Sequence, residues 1–349
     1  MRRRPFLLAS AGLLTDLPAL ALPPLQLAFP RDHGSHPGFR TEWWYITGQA
    51  RAGDREFGFQ VTFFRTRVDG TQEMTSRFAA RQLVFAHAAV TDVQGRKLWH
   101  DQRIAREGFD VVAAAQGDTR VRLRDWSLER KGDAWHARIP AGDFTLDLQC
   151  TPTQPVLAQG KDGLSRKGPE TAQASYYYSV PQLGVQGGIV LKGQRQTVTG
   201  KAWLDHEWSE EILHKDAVGW DWIGMNLDDG SALTAFRLRR QDGSTLWDGG
   251  SFRPAKGSVY TFSPGEAVFS PQRRWTSPMS RASYPVEWIV RTPADFYTVK
   301  AVVDDQELDS RASTGAIYWE GLSELFDSNG RRVGRGYLEM TGYSGRLRV

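Results

Sequence analysis

The sequence predicts an all-β protein made of two tandem antiparallel β-barrels. Three observations carry this. Apolar residues recur with period two rather than with a helical period. Turn signals close most of the apolar runs. Beyond residue 21, no amphipathic run is long enough for an ordinary helix. At 349 residues, two barrels fit better than one.

In chain order, residues 1–21 read as an export signal. Arg2, Arg3 and Arg4 form a basic start, Pro5 to Leu14 is mostly apolar, and Ala19-Leu20-Ala21 offers a small-residue cleavage site. Arg3-Arg4-Pro5-Phe6-Leu7 also resembles a twin-arginine signal, so a periplasmic or secreted location is expected. The apolar run is shorter than the roughly 20 residues a membrane-spanning helix needs. A first barrel is placed at 22–200 and a second at 201–349.

The clearest strand in the first barrel has Phe57, Phe59, Val61 and Phe63 alternating with Gly58, Gln60 and Thr62. Gln82 to Val90, Val121 to Arg124 and Phe144 to Leu148 continue the pattern, and Pro152 to Pro169 reads as a loop or insertion. Val198 to Ala202 reads as strand with a kink at Gly200. Trp220 to Leu227 runs through the turn Asp229-Gly230 into Leu233 to Arg239. Gly321 to Phe326 suggests a short helical turn. Tyr297 to Val303 and Tyr337 to Thr341 are the last strands.

Composition narrows the function. Hydrophobic content of 40% and charged content of 24% fit a soluble globular chain. Thirteen Trp suit aromatic cores or apolar cavities. Removing residues 1–21 takes away three Arg and one Asp, so the net charge of +4 falls by two and gives nucleic-acid binding no support. Cys150 is alone, so no intrachain disulfide can form.

The chemistry concentrates in Trp203-Leu204-Asp205-His206-Glu207-Trp208. Strand alternation puts His206 and Trp208 on one face and Asp205 and Glu207 on the other. In Glu42-Trp43-Trp44-Tyr45, Glu42 and Trp44 share a face, and burial would raise the Glu42 pKa. Trp220 and Trp222 share a face with Gly224 and Asn226, which turns Asp221 outward. Tyr176 and Tyr178 oppose Tyr177. His33, His36 and His206 could form a three-histidine metal site, against the alternative of a hydrogen-bonded loop closing a barrel end. No other feature supports a metal. His87, in an apolar strand, reads as a satisfied core residue. Nucleotide-binding and serine-hydrolase motifs are absent.

Several of these segments together resemble the AttH family, which is similar to the carotenoid 1,2-hydratases (CrtC). They are Phe29-Pro-Arg-Asp-His33, Thr41-Glu-Trp-Trp-Tyr45 with Gly48, Ala86-His87-Ala88 with Asp92, Tyr176-Tyr-Tyr-Ser179 and Gly200-Lys-Ala-Trp-Leu-Asp-His-Glu-Trp208. The resemblance implies two lipocalin-like barrels and an elongated apolar ligand held in or between them, with no cofactor. It also implies that His206 and Trp208 match a His–Trp active-site pair of the hydratases. The Tyr-x-Asp that completes the hydratase set is missing around Ala235 to Leu238.

The expected function is therefore binding of an apolar or amphipathic small molecule of lipid or terpenoid type. His206 and Trp208 are the catalytic candidates for a hydratase or hydrolase. Trp44, Tyr178, Trp220, Trp222 and Glu42 are the candidate ligand-binding residues. A non-catalytic lipid carrier or chaperone is the alternative. Expected partners are the hydrophobic ligand and a peripheral membrane or membrane transporter.

Overall fold

The computed structural model describes residues 21–211 and 213–347. The export-signal segment lies outside these residues except for Ala21.

Two antiparallel sheets hold nearly all the regular structure. The first has 13 strands. Its central order is Gln82–Asp92, Arg55–Arg67, Thr41–Ala52, Gln194–Ser209, Ala174–Leu191 and Phe144–Thr151. Lys97–Arg106 forms one edge, and it curls round to approach Arg120–Leu123 near the other, so the sheet nearly closes into a barrel. The second sheet has 10 strands, centred on Ala232–Arg240, Ala217–Leu227, Arg332–Met340 and Ala316–Phe326. The fold is thus the expected all-β pair of lipocalin-like barrels.

Period-two patterning explains the cores. Phe57, Phe59, Val61 and Phe63 point into the first barrel and are almost fully buried. The opposite face of the same strand is buried too, including Gln60 and Thr62, because the second sheet packs against it. Polar residues that alternation alone would assign to solvent therefore line the interface between the barrels. Buried hydrogen bonds stitch the interface. Gln182 Nε2 donates to the Leu227 and Ser231 carbonyls at 2.8 and 2.9 Å, and Asn226 Nδ2 donates to the Ala202 carbonyl at 3.0 Å.

Several local expectations change. The strand Gln194–Ser209 lies wholly in the first sheet, so the changeover falls in 210–216 rather than after residue 200. Gly200 does not kink that strand, whose pairing with Thr41–Ala52 is continuous there. A Cβ on Gly200 would lie 1.9 Å from the Gln49 carbonyl oxygen, so the glycine permits close strand approach. Gly321 to Phe326 is strand, not helix, within Ala316–Phe326. Residues 152–169 carry two short strands, Leu157–Ala158 and Leu164–Arg166, both paired with Ala174–Leu191. Asp221 points inward, not outward, where Arg237 Nε pairs with it at 2.7 Å. The last strand, Arg332–Met340, belongs to the second sheet and reaches the first through side chains, among them Arg335, which pairs with Glu56 at 3.2 Å, and Tyr337, which packs on Gly58.

Candidate functional site

The strand Gln194–Ser209 runs through the centre of the first sheet, between Thr41–Ala52 and Ala174–Leu191. Its register makes two opposed patches. His206 lies between Trp44 and Tyr178, and Trp208 between Glu42 and Tyr176, on the face inside the first barrel. Asp205 lies between Tyr45 and Ser179, and Glu207 between Trp43 and Tyr177, on the face toward the second sheet.

The inner patch is closed. Trp44 stacks on His206 with ring centroids 4.8 Å apart, and His36 stacks on Trp208 at 3.8 Å. Glu42 Oε1 lies 3.0 Å from His206 Nε2 and 2.8 Å from His36 Nδ1, while Arg65 Nε donates to Oε2 at 2.8 Å. Tyr178 Oη sits 2.7 Å from His33 Nδ1 and 3.1 Å from His206 Nδ1. The segment from Asp32 to His36 thus plugs this end of the barrel. Burial pushes the Glu42 carboxyl up, but hydrogen bonds from His206 and His36 and the Arg65 charge bring it below its ordinary value. The expectation of a raised Glu42 pKa is corrected: its partners outweigh its burial. Burial also lowers the His206 pKa, against the raising effect of Glu42.

His36, Glu42 and His206 present ligand atoms within 4.8 Å of one another. Glu42 replaces His33 in the trio expected from the sequence, since His33 turns to Tyr178. The shared Glu42 oxygen already serves both imidazoles, and Arg65 supplies positive charge beside it. These contacts describe a hydrogen-bonded plug better than a cation site.

The outer patch borders a cavity of about 130 Å³ between the two sheets. Its apolar walls include Trp43, Phe64, Trp220, Trp222 and Phe236, and four carboxyl groups reach it: Asp205, Glu207, Glu320 and Glu339. Trp43, Phe64 and Trp220 are only half-buried and mark the mouth. Gly224 makes room for Trp222, because a Cβ there would lie 2.3 Å from the indole.

Each carboxyl has its own surroundings. Asp205 accepts from Ser179 Oγ at 2.5 Å, Trp203 Nε1 at 2.7 Å and Tyr177 Oη at 2.8 Å. Those donors favour its charged form, yet burial outweighs them and pushes Asp205 up to about 7. Glu207 accepts from Ser175 and pairs with Lys167 Nζ at 3.0 Å. Glu320 and Glu339 are direct cross-strand partners. Burial pushes Glu339 up to about 7, helped by the charges of Asp205 and Glu207 and opposed by the Trp220 indole. Burial and the Glu339 charge hold Glu320 well above the carboxylate range. Two like charges directly opposed on neighbouring strands repel, so this pair retains a proton at neutral pH. Glu320 Oε1 and Tyr45 Oη are buried here without a hydrogen-bond partner among the described residues.

The seven residues singled out in the sequence therefore separate. Glu42, Trp44, Tyr178, His206 and Trp208 meet inside the first barrel, while Trp220 and Trp222 line the cavity between the barrels. Tyr177, Lys167, Glu320 and Glu339 were not singled out as site residues. A carboxyl in a strand of large apolar residues, as at Glu339, is the signal that would have found two of them.

The sequence matches the AttH-like family over residues 20–343. The chain belongs to the AttH-like family. A structure of a candidate AttH from Nitrosomonas europaea is 48% identical, with TM-score 0.86, covering 93% of this chain and 99% of that one. Kievitone hydratase from Nectria haematococca is 13% identical, with TM-score 0.71 over 91% of this chain and 93% of its own. CghA with Sch210972 is 14% identical, with TM-score 0.51 over 89% and 90%. The last two share the fold with this AttH-like chain. No curated protein matches it.

Proposed function

We propose that this AttH-like protein binds an apolar small molecule between its barrels and, without a cofactor, adds water to a carbon–carbon double bond or, in reverse, eliminates water from the alcohol to form one. One observation carries the reading: Asp205, pushed up to about 7 by burial, and the directly opposed carboxyls of Glu320 and Glu339, both raised, line one aromatic-walled cavity. Groups whose surroundings hold one protonated and another poised near pH 7 are suited to acid and base roles. In hydration, the Glu320–Glu339 pair gives a proton to one alkene carbon. The neighbouring carbon becomes cationic and is steadied by the faces of Trp220, Trp222 and Trp43. Asp205 takes a proton from water as the water oxygen bonds to that carbon. The proton then returns from Asp205 to the glutamate pair through solvent. The kievitone hydratase and CghA folds are compatible with this chemistry, and support it only as folds.

In this reading, His206 and Trp208 shape the strand that presents Asp205 and do not touch the ligand. The cavity accepts a single ring or short branched end group, since a cavity of roughly 150 Å³ holds benzene. Export is part of the proposal and rests on the Arg2 to Ala21 segment.

The test is native mass spectrometry of the protein from its own source, followed by incubation of the co-purified compound in heavy-oxygen water. Wild type should incorporate the label into product or recovered ligand. Asp205→Asn should bind the compound and lose incorporation. Retention of wild-type incorporation by Asp205→Asn would sink the catalytic reading, and ligand release unchanged with no incorporation by any form would favour a carrier.

A further inference from the structure

A second chamber of about 170 Å³ adjoins the first. The two share two lining residues, Tyr177 and Phe236, which form the partition. Each chamber alone is smaller than an ordinary ligand site, whereas together they reach the roughly 300 Å³ at which such sites begin. The two halves of the partition differ. Tyr177 is tied down, donating to Asp205 at 2.8 Å and accepting from Trp222 Nε1 at 3.3 Å. Phe236 makes no hydrogen bond: the Lys167 ammonium lies 4.3 Å from its ring centroid, and it packs against Gly249, where a Cβ would come 3.0 Å from its ring. Phe236 is therefore the less firmly held side of the partition.

The second chamber has different chemistry. Arg166 and Lys161 line it, and Asp248, its acidic residue, already accepts from the Gly265 and Ala267 backbone amides at 2.9 and 3.2 Å. Arg166 Nε is buried without a partner among the described residues. A hydrogen-bond thread also joins the chambers: Ser251 Oγ donates to Gln159 at 2.8 Å, Gln159 Nε2 to Ser179 at 2.9 Å, and Ser179 to Asp205 at 2.5 Å.

We propose that the two chambers form one tunnel gated by Phe236, and that its occupant is an amphipathic carboxylic acid with its apolar end beside Asp205 and its carboxylate at Arg166. This rests on the reading of the first chamber as the ligand site. Arg166 Nη2 donates to the Gly168 and Pro169 carbonyls at 3.0 and 2.9 Å, which holds the guanidinium in place and leaves Nε to give a carboxylate a charge-assisted hydrogen bond.

Calorimetric titration of the full chain with ω-phenylalkanoic acids of increasing length, and with benzyl alcohol, tests it. Affinity should rise about threefold per added methylene until the carboxylate reaches Arg166. Arg166→Gln should weaken the longest acid about tenfold and leave the matching alcohol unchanged. Gly249→Leu, which drives Phe236 into the partition, should reduce long acids to the affinity of short ones without affecting benzyl alcohol. Where Gly249→Leu lowers the melting temperature, Gly249→Val replaces it with the same expectation. Affinity independent of chain length, with benzyl alcohol still bound, overturns the tunnel alone. Failure of benzyl alcohol to bind overturns the first-chamber reading and the tunnel with it.

Discussion

Two faces of one strand contrast here. On the inner face, His206 and Trp208 sit in a network where Glu42 meets two histidines, a serine, a backbone amide and Arg65. On the outer face of the same strand, burial pushes Asp205 up to about 7 beside the opposed carboxyls of Glu320 and Glu339. Both faces are buried and both are rich in aromatics. The difference lies in countercharge: Glu42 has the Arg65 guanidinium and two imidazoles on it, while Asp205 has only neutral donors, which do not outweigh its burial. Charge-matched polar networks fix structure, and perturbed groups beside a cavity are where chemistry is found.

The largest way to break the contrast is Glu42→Gln. It keeps the shape and removes the charge, leaving Arg65 buried without its carboxylate. Loss of one partner of a buried ion pair costs roughly 3–5 kcal/mol. Urea denaturation should show that loss, and binding of benzyl alcohol to the surviving folded fraction should be unchanged. A stable Glu42→Gln protein would place the inner network outside the structural role.

Asp205→Asn should act with the opposite sign. The folded-state pKa of Asp205 is raised from 3.8 to about 7, so the folded protein holds a proton that the unfolded chain releases. Stability attributable to this group is full below about pH 4 and is lost as pH rises through about 7. The asparagine cannot ionise. It should make the protein more stable than wild type at pH 8, by up to about 4 kcal/mol, and leave the two nearly equal at pH 4. Melts at the two pH values check this, and equal wild-type and variant curves at pH 8 would show that Asp205 is not titrating in the cavity. Glu320→Gln should give a gain of the same sign, because burial and the Glu339 charge hold its carboxyl well above the ordinary range.

Much of this architecture was legible from the sequence. Period-two runs and Asp-Gly turns give two antiparallel barrels, because a strand's side chains alternate whatever it packs against. Alternation also split Trp203 to Trp208 correctly into two faces. What alternation cannot say is which face meets the other barrel, since that depends on contacts between residues such as Gln60 and Glu320, far apart in the chain. Two cavity residues were hidden for local reasons. Glu320 precedes a segment whose pattern suggested a helical turn, and Lys167 lies in a stretch that looked like plain loop although it folds back to pair with Glu207. Asp221 was misplaced because a charged residue between two tryptophans reads as outward unless its Arg237 partner is known.

The smallest effect sharpens the comparison most finely. Trp222→Phe keeps an aromatic ring on the cavity wall and deletes the indole N–H that donates to Tyr177 Oη at 3.3 Å. Tyr177 retains its bond to Asp205, and the space beside Gly224 remains open for ligand or solvent, so the fold should lose little. A ligand ring packed on this wall loses part of the aromatic surface it meets, and an aromatic contact is worth about 1 kcal/mol. Benzyl alcohol should therefore bind roughly fivefold more weakly, with the melting temperature nearly unchanged. The corresponding change inside the barrel, Trp44→Phe, removes the donor to the His33 carbonyl at 3.0 Å and should move stability rather than binding. If both variants shift the melting temperature equally and neither shifts affinity, the outer face is packed core like the inner one, and the division of the strand into a structural and a ligand-facing side fails.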